Sequence, residues 1–405
     1  MRPGWPTTTL GRVGRFHMGT TFPHAYQGAA QGDLPFIKVS DFPRADRLGV
    51  VSGANNWVDR QTARRLGARI VPRGSILYAR VGAALLLNQR CITGRTCIVD
   101  DNVRAFEPEH GDPRYWRYLM LLLDMAKITN PGPVPSVSER QVAALPVPLP
   151  SVEEQRHIAD FLDAETVRID QLRRKFNRQR DLLVERERAS LPLGVAGARL
   201  GEGSVDTGLP WLPSMHPRAQ LVPLIRLLQL QRGADLTDDQ RRPGEVPVVT
   251  TAGPNGWHDI ALASGPGVVI GRYGSVGNVH WVDDSYWPHN TTLYVKNFNG
   301  NDPRYCYHVL RSLPYEMEQA RAAVPGVNRN DLHRNAVVLL PRDLQLRVAR
   351  LLDSDMTRLA SAFERIRRAD ALLAERRQAL ITAAVTGQFD VSTASGRNVT
   401  DGVTA

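Results

Sequence analysis

The sequence predicts an α+β protein in which two mixed α/β domains with curled, mostly antiparallel sheets are separated by two long helices. The first observation is an internal repeat, because Asp112-Pro113-Arg114-Tyr115 recurs letter for letter as Asp302-Pro303-Arg304-Tyr305. The second is that a stretch without proline or glycine follows each copy, at 151–191 and 342–386. The period of 190 residues far exceeds the roughly 20–50 residues of a solenoid repeat, so it indicates a duplicated domain with a duplicated connector.

The same offset aligns residues before and within each connector. The matched pairs are Pro135 with Pro325, Val137 with Val327, Gln155 with Gln345, Leu162-Asp163 with Leu352-Asp353, and Glu185-Arg186 with Glu375-Arg376. Chance can give one such match, but not a column of matches in one register. We therefore expect a pseudo-two-fold repeat.

Each element has a local signal. Both domains are rich in glycine and proline and contain short β-like runs such as Ser75–Ala79 and Gly267–Ile270, followed by one helix after the repeated tyrosine. Ser151-Val152-Glu153-Glu154 fits a capping box that starts the first long helix, and we expect Pro192 to end it. The predicted boundaries are 1–150 for the first domain, 151–192 for the first long helix, 193–341 for a linker and the second domain, 342–390 for the second long helix, and 391–405 for a disordered tail.

Apolar residues alternate at spacings of four and three along both long stretches, which is typical of a coiled-coil seam. The predicted seam residues are Ile158, Leu162, Ile169, Leu172 and Phe176 in the first stretch and Val348, Leu352, Leu359, Ile366 and Leu373 in the second. An acidic residue, Glu165 or Asp355, interrupts the seam at the same place in both copies. We expect the two helices to form an antiparallel coiled coil. The alternative is that each helix is amphipathic and packs on its own domain.

The charge is uneven along the chain. Net charge is +10, and only four of the 51 basic residues are lysine, a bias that a GC-rich genome also produces. Residues 1–150 carry a net charge of +8, whereas residues 201–341 carry −1. Because arginine suits phosphates and guanine edges, the first half favours a nucleic-acid surface. In the second half such a surface depends on local patterning.

Several classes of protein are disfavoured. The three cysteines form no CxxC pair, no apolar run approaches the roughly 18 residues of a membrane span, and the start has no apolar signal core, so we expect a cytoplasmic protein. The sequence has no GxxxxGK[ST], no GxSxG and no Asn/Asp-Pro-Pro-Tyr/Phe, and its histidines lack HxxxH spacing. Gly271–Gly277 has GxxGxxG spacing, which indicates a tight turn rather than a phosphate loop. We therefore expect no catalytic residues and no metal site in this chain.

Several segments carry a resemblance to a known family, the DNA-specificity subunits of type I restriction–modification systems. They are Leu34–Asp41, the junction Leu145–Gln155, the lead-in Gly208–Leu212, the loop Gly271–Gly277 with Asn290–Val295, and the helix end Glu375–Gly387. The resemblance extends over nearly the whole chain, roughly residues 10–390. The resemblance implies two target-recognition domains, each of which reads one half of a bipartite, asymmetric DNA target.

The resemblance also implies the partners. The two helices act as a ruler that sets the spacer between half-sites, and they dock two copies of an adenine methyltransferase, which bring S-adenosylmethionine. Two motor–nuclease subunits bring ATP and Mg. The chain itself is then not an enzyme. One alternative is a structural or regulatory adaptor that holds the partners without reading sequence, and a self-contained methyltransferase or nuclease is disfavoured by the missing motifs.

Candidate DNA contacts are donors and acceptors for base edges and cations for phosphates. They are Arg60, Arg64, Arg65, Arg80, Asn88, Gln89 and Arg90 in the first domain, and Arg272, Tyr273, His289, Asn290, Asn328 and Arg329 in the second. Structural alternatives stand beside them. Arg64-Arg65 also fit a solvated surface, Arg80 and Arg272 occupy matching places that suit a shared structural role, and Asn290 also fits a turn cap.

Overall fold

The protein consists of two compact units, each built from one α/β domain and a segment of each long helix. The computed structural model describes residues 5–130, 133–273, 277–315, 326–388 and 390–391. Unit 1 comprises residues 1–176 and 368–405, and unit 2 comprises residues 177–367. Pro325 of the repeat, residues 274–276 of the glycine-rich loop and residues 392–405 of the predicted tail lie outside the described residues.

Unit 1 has a five-stranded and a three-stranded sheet, with strand orders β2-β9-β6-β7-β4 and β5-β3-β8, and a two-stranded pair β1-β10. The strands are β1 (Thr7–Thr9), β2 (Gly14–Met18), β3 (Leu34–Ile37), β4 (Val50–Val51), β5 (Asn56–Val58), β6 (Ile76–Ala79), β7 (Cys91–Thr93), β8 (Ile98–Val99), β9 (Val103–Pro108) and β10 (Pro146–Pro148). Most neighbouring strands are antiparallel, and β3-β8 and β4-β7 are parallel.

Unit 2 repeats this arrangement with sheets β14-β20-β17-β18 and β16-β15-β19 and the pairs β13-β21 and β11-β12. The strands are β11 (Val205–Leu209), β12 (Leu212–Met215), β13 (Gln220–Pro223), β14 (Gln229–Arg232), β15 (Val246–Thr250), β16 (Gly253–His258), β17 (Gly267–Gly271), β18 (Val279–Val282), β19 (Trp287–Pro288), β20 (Thr292–Asn297) and β21 (Ala336–Leu339). In both three-stranded sheets the middle strand pairs antiparallel on one side and parallel on the other. The predicted repeat and the mostly antiparallel sheets are thus confirmed.

Short helices connect the strands, and two long helices follow the domains. The helices are α1 (Arg60–Arg65), α2 (Ala83–Leu86), α3 (Pro113–Leu122), α4 (Glu139–Ala143), α5 (Val152–Val195), α6 (Leu224–Leu227), α7 (Pro303–Arg311), α8 (Arg329–Arg334) and α9 (Arg342–Val385). The helices predicted at the two repeated tyrosines are α3 and α7. Asp112 and Asp302 cap them through side chains that accept backbone N–H groups, and proline occupies the first turn of both.

The capping box of α5 is present, since the Ser151 N–H donates to Glu154 Oε2 at 2.9 Å and the Glu154 N–H donates to Ser151 Oγ at 3.2 Å. The prediction that Pro192 ends this helix was wrong, because α5 continues to Val195. The side chains of Leu191 and Val195 are buried in the unit 2 core, and this burial outweighs the hydrogen bond that proline removes. At the end of α9, Gly387 adopts a φ of 68°.

The repeated residues fasten each long helix to its domain. Gln155 Oε1 accepts the Asp112 N–H at 3.2 Å, and Gln345 Oε1 accepts the Asp302 N–H at 2.8 Å. The repeated tyrosines donate to backbone carbonyls that precede the long helices, namely Tyr115 to Pro148 at 3.1 Å and Tyr305 to Val338 at 2.7 Å. The repeat that is most visible in the sequence therefore encodes a structural joint.

The long helices run antiparallel and in contact within each unit. In unit 1, Arg173 donates to both oxygens of Asp370 at 2.7 and 3.0 Å, and Arg377 lies 3.6 Å from Asp170. In unit 2, a Cβ atom on Gly194 would meet Leu352 at 2.6 Å. The predicted helix pairing is confirmed, and the alternative is also partly realised. The cores of the two domains include helix residues: Ile158, Leu162, Ile169, Leu380 and Ile381 in unit 1 and Leu191, Val195, Val348 and Leu352 in unit 2.

The predicted seam residues differ in how deeply they are buried. The buried members are Ile158, Leu162, Ile169, Val348, Leu352 and Ile366, and the half-buried members are Phe176, Leu359 and Leu373. Leu172 is 38% exposed, so its assignment to the seam was wrong. A straight helix drifts by about 20° per heptad from a strict 3.5-residue repeat, and the neighbouring Arg173 pairs with Asp370 instead. Both acidic interruptions have an arginine nearby, at 3.9 Å from Glu165 (Arg376) and 2.7 Å from Asp355 (Arg199).

Candidate nucleic-acid interface

The strand ends of the second domain bring most of its predicted DNA contacts to one edge. The Arg272 N–H donates to the Thr291 carbonyl at 3.0 Å, and the Val327 N–H donates to the Arg272 carbonyl at 3.0 Å. These two backbone bonds place Arg272-Tyr273 beside His289-Asn290 on one side and Asn328-Arg329 on the other. Segments far apart in sequence therefore form one polar edge.

The side chains at this edge differ in exposure and in the hydrogen bonds that hold them. Tyr273 is 42% exposed, and the Arg272 guanidinium lies over its ring at 4.5 Å from the centroid. Asn290 is tied down, since its Nδ2 donates to Asp235 Oδ1 at 2.7 Å. Asn328 Oδ1 accepts the Asn330 N–H at 2.9 Å and so caps α8, whose first residue Arg329 is exposed. Arg272, Tyr273 and Arg329 are thus the contacts most open to a ligand.

Three neighbours of this edge were missed from the sequence. Thr251 donates its hydroxyl to the Thr291 carbonyl at 3.1 Å, and a ring nitrogen of His280 lies 3.0 Å from the Thr251 carbonyl. Asp235 accepts from Asn290 and lies 3.8 Å from His289. For Thr251 the sequence offered one signal of a place at this edge, since Thr250-Thr251 follows an apolar strand. His280 and Asp235 had no such signal, because sheet pairing brings them to the edge.

The equivalent edge of the first domain contains Arg80. The Arg80 N–H donates to the Asn102 carbonyl at 3.0 Å, and the Val137 N–H donates to the Arg80 carbonyl at 2.9 Å, as at Arg272. The Arg80 Nε also donates to the Asp101 carbonyl at 2.8 Å. The backbones of Arg80 and Arg272 therefore have the same structural role, and in Arg80 the side-chain Nε contributes to it as well.

Asn88, Gln89 and Arg90 lie together, but Arg90 points inward and is 3% exposed. Its guanidinium donates to the Gln89 carbonyl at 2.7 Å and to Asn88 Oδ1 at 2.6 Å. Burial lowers the pKa of Arg90 to about 10. Asn88 also donates to the Leu121 carbonyl at 2.8 Å. The prediction of Arg90 as a DNA contact was wrong, because its guanidinium is buried and its two terminal nitrogens donate inside the protein. Gln89 remains exposed.

Arg60, Arg64 and Arg65 lie on α1, directly after the edge strand β5. The helix buries Ala63 and is capped by Asp59, whose Oδ1 accepts the Thr62 N–H at 2.6 Å. That hydrogen bond, with a smaller effect of the Arg65 charge, lowers the pKa of Asp59. All three arginines are exposed. They are therefore available to an anionic ligand.

Other site classes find no support in the part of the chain that the structure describes. Within those residues there is no group of three or more His, Cys, Asp or Glu side chains that could hold a metal ion. Cys91, Cys97 and Cys306 are buried and unpaired with one another. No described helix is long and apolar enough to cross a membrane.

Comparison with known proteins identifies the fold. Residues 3–176 match the family described as the type I restriction modification DNA specificity domain. One similar chain, at 16% identity and a TM-score of 0.72, comes from a structure that concerns complex assembly and conformational transition of the type I R-M system. The match covers 95% of this chain and 98% of that one. The HsdS subunit of Thermoanaerobacter tengcongensis is similar at 17% identity and a TM-score of 0.54, over 96% of this chain and 98% of that one.

No curated protein sequence matches the chain. The family match covers the first domain and the start of α5, and the structural similarity extends through both units. Residues 3–176 therefore match the model of a type I restriction modification DNA specificity domain, and the chain as a whole is similar in fold to the HsdS subunit of Thermoanaerobacter tengcongensis.

Proposed function

We propose that this chain is the sequence-reading subunit of a type I restriction–modification complex, and that each domain reads one half of a bipartite, asymmetric DNA target. One observation carries the proposal. The two domains share the order of four sheet strands, β2-β9-β6-β7 and β14-β20-β17-β18, and their joint to the long helices, yet their strand-end edges differ. Arg80-Val81 with Asp100-Asp101 in the first domain stands where Arg272-Tyr273 with His289-Asn290 stands in the second. A common frame with different edge chemistry suits two different half-sites.

The edge residues supply suitable chemistry for DNA. Arginine can donate two hydrogen bonds to guanine, and asparagine can bind adenine in the same bidentate way. Arg272 over Tyr273 is held in a defined direction, which lowers the entropy lost on binding. Exposed arginines such as Arg329 and those of α1 suit phosphates, which position the protein without reading sequence.

The long helices take two further roles in this proposal. They act as a ruler for the non-specific spacer, and they dock two copies of an adenine methyltransferase that bring S-adenosylmethionine. Two motor–nuclease subunits supply ATP and Mg. In this division of labour the present chain binds the DNA target, and its partners carry out the reactions.

A single-molecule methylome of cells with the gene intact and deleted tests the proposal. We expect deletion to remove one bipartite, asymmetric methyl-adenine motif. A cell that expresses a methyltransferase bound to this chain but shows no change in any motif would contradict sequence reading and favour an adaptor.

A double variant assigns the second domain to its half-site. Arg272→Gln with Tyr273→Ala should relax or abolish one half of the motif, because each lost base contact costs about 1–3 kcal/mol of discrimination. The other half-site should stay unchanged. Asn297→Ala is the matched control, since this exposed asparagine lies at the opposite end of β20 from the Thr291-Thr292 edge.

A further inference from the structure

Six exposed arginines of the first domain lie on α1 and on the two turns that follow it in the fold, and the described part of the second domain has no equivalent set. We infer that they form a phosphate-binding face through which the first domain supplies most of the salt-dependent affinity for duplex DNA, an inference that rests on the proposed function. We name this set the arginine face. Its members are Arg60, Arg64, Arg65, Arg69, Arg73 and Arg95.

Helix α1 and one backbone bridge bring the members together. Arg60, Arg64 and Arg65 lie on α1, with the buried Ala63 packed against the core beneath β5. Val71 and Cys97 exchange backbone hydrogen bonds at 2.8 and 3.0 Å in an antiparallel bridge. Arg73 and Arg95 lie two residues from this bridge, one on each of its chains. The arginine face therefore combines one helix with two turns that adjoin each other.

An aromatic ring fixes one of these cations. The Arg95 guanidinium lies over the Trp57 ring, 5.1 Å from its centroid. The Trp57 indole N–H donates to the Ala54 carbonyl at 3.0 Å, which holds the ring in place. A guanidinium that lies over an aromatic face does not use its N–H groups for that contact, so they stay available for an anion. Arg95 is thus presented to solvent in a fixed position.

In the described part of unit 1, none of the six side chains forms an ion pair. Two acidic residues adjoin α1, and their carboxylates accept backbone N–H groups, although the charge of Arg65 also acts on Asp59. Asp33 accepts the Arg60 N–H at 3.0 Å, and Asp59 accepts the Thr62 N–H. Like charges that lie close together repel one another, so the arginine face is destabilising until a polyanion binds.

The second domain replaces these charges with apolar and acidic residues. The chain that leaves β16 exposes Ile260 and Leu262, at 48% and 43%. The turn before β19, which corresponds to the turn of Arg95 before β8, carries Asp283 and Asp284, both exposed. The arginine face is therefore a property of the first domain and not of the shared fold. DNA phosphates fit its chemistry, because arginine forks bind them bidentately.

Salt dependence of DNA binding tests the inference. The full-length chain is titrated into a labelled 40-base-pair duplex of random sequence between about 50 and 200 mM salt, and binding is followed by fluorescence anisotropy. Each phosphate contact contributes a slope of about −0.9 to log Kobs against log salt. We expect the variant Arg64→Gln/Arg65→Gln/Arg69→Gln/Arg73→Gln to lose about three to four units of this slope. Glutamine preserves helix propensity, and a thermal melt checks the fold.

The matched control is Arg241→Gln/Arg242→Gln in the second domain. These arginines lie 3.4 Å from Asp238 and 2.9 Å from Asp259, so carboxylates already compensate their charge. We expect their removal to change the slope by less than about one phosphate contact. An equal loss of slope in control and test variants would overturn the asymmetry.

The remaining outcomes separate the inference from the proposed function. An unchanged slope in the fourfold variant, or a wild-type chain whose binding to the random duplex ignores salt, overturns the arginine face. An unchanged slope with reduced co-purification of the methyltransferase would make the face a protein-docking surface. A reduced slope together with a methylome that does not depend on the gene would leave the arginine face intact and contradict sequence reading.

Discussion

Asp163 and Asp353 occupy equivalent places in the two units, but their partners differ. In unit 1, Asp163 accepts from Arg114 at 2.9 Å and from the Tyr118 hydroxyl at 2.8 Å. In unit 2, Asp353 accepts from Arg304 at 2.7 Å and lies 2.8 Å from a ring nitrogen of His308. Both carboxylates connect the helix of a domain to its long helix. His308 stands where the first joint has Tyr118, so the second joint contains an imidazole that can be protonated at acidic pH.

Removal of the carboxylate of Asp163 should destabilise unit 1 strongly. We expect Asp163→Ala to lower the free energy of unfolding by about 3 kcal/mol, because a buried ion pair loses one partner and Tyr118 loses an acceptor. Asp160→Ala is the control. Asp160 also binds Arg114, at 2.7 Å, but its side chain is 65% exposed, so the expected loss is below about 1 kcal/mol. Urea unfolding compares the two, and equal losses would contradict the assignment.

His308 should make unit 2 sensitive to acid. Burial, helped by the charges of Arg311 and Arg304 against the opposing effect of Asp353, lowers the pKa of His308 to about 4. The unfolded chain therefore binds a proton between pH 6.5 and 4 that the folded chain does not. Stability is unaffected above pH 6.5 and falls by up to about 3 kcal/mol as the pH drops to 4.

The variant His308→Tyr checks this pH dependence, since tyrosine is the residue of the first unit at this position. We expect thermal melts of the variant to depend less on pH than those of the wild type between 6.5 and 4. The same pH dependence in both proteins would show that His308 does not carry the effect.

At the scale of elements, the end of α5 illustrates how packing overrides a local signal. Pro192 has no N–H to donate to the preceding turn, yet the helix continues to Val195 because Leu191 and Val195 are buried in the unit 2 core. The chain then turns at Gly197, whose φ of 70° favours glycine. The proline therefore strains a helix that tertiary contacts hold together.

Pro192→Ala should stabilise unit 2. Alanine restores the helical hydrogen bond and removes the clash of the proline ring with the carbonyl four residues earlier, which we expect to be worth about 1–3 kcal/mol. Pro210→Ala is the control, and we expect it to change the stability in the opposite direction. Pro210 is exposed in the β11-β12 turn, and its replacement should destabilise slightly because the unfolded chain gains freedom. A lower melting temperature for Pro192→Ala would refute the proposed strain.

At the scale of the whole molecule, both long helices pass from one unit into the other. The division falls between Phe176 and Asn177 in α5 and between Arg367 and Arg368 in α9. These are the places where the proposed ruler can be lengthened without disturbing either domain. A heptad is the natural increment, because it returns the seam to the same face.

A matched insertion tests the ruler. Seven helical residues added to both α5 and α9 at these points should add about 10 Å, or about three base pairs, to the spacer of the methylated motif. Both half-sites should remain unchanged in the methylome. Insertion in α5 alone is the control, and it should lower stability because the seam falls out of register. An altered half-site after the matched insertion would be incompatible with the ruler.

The repeat, the two long helices, the capping box of α5 and most of the seam could be predicted from the residues alone. These features depend on short-range patterns, such as the spacing of apolar residues and the positions of proline and glycine. Folding in three dimensions is needed to see that Leu172 leaves the seam, that α5 passes Pro192 and that Arg90 turns inward. These outcomes depend on long-range burial, which can outweigh local preference. The meeting of Arg272 with Thr291 and Val327 has the same origin, because strand pairing alone joins segments that no sequence pattern connects.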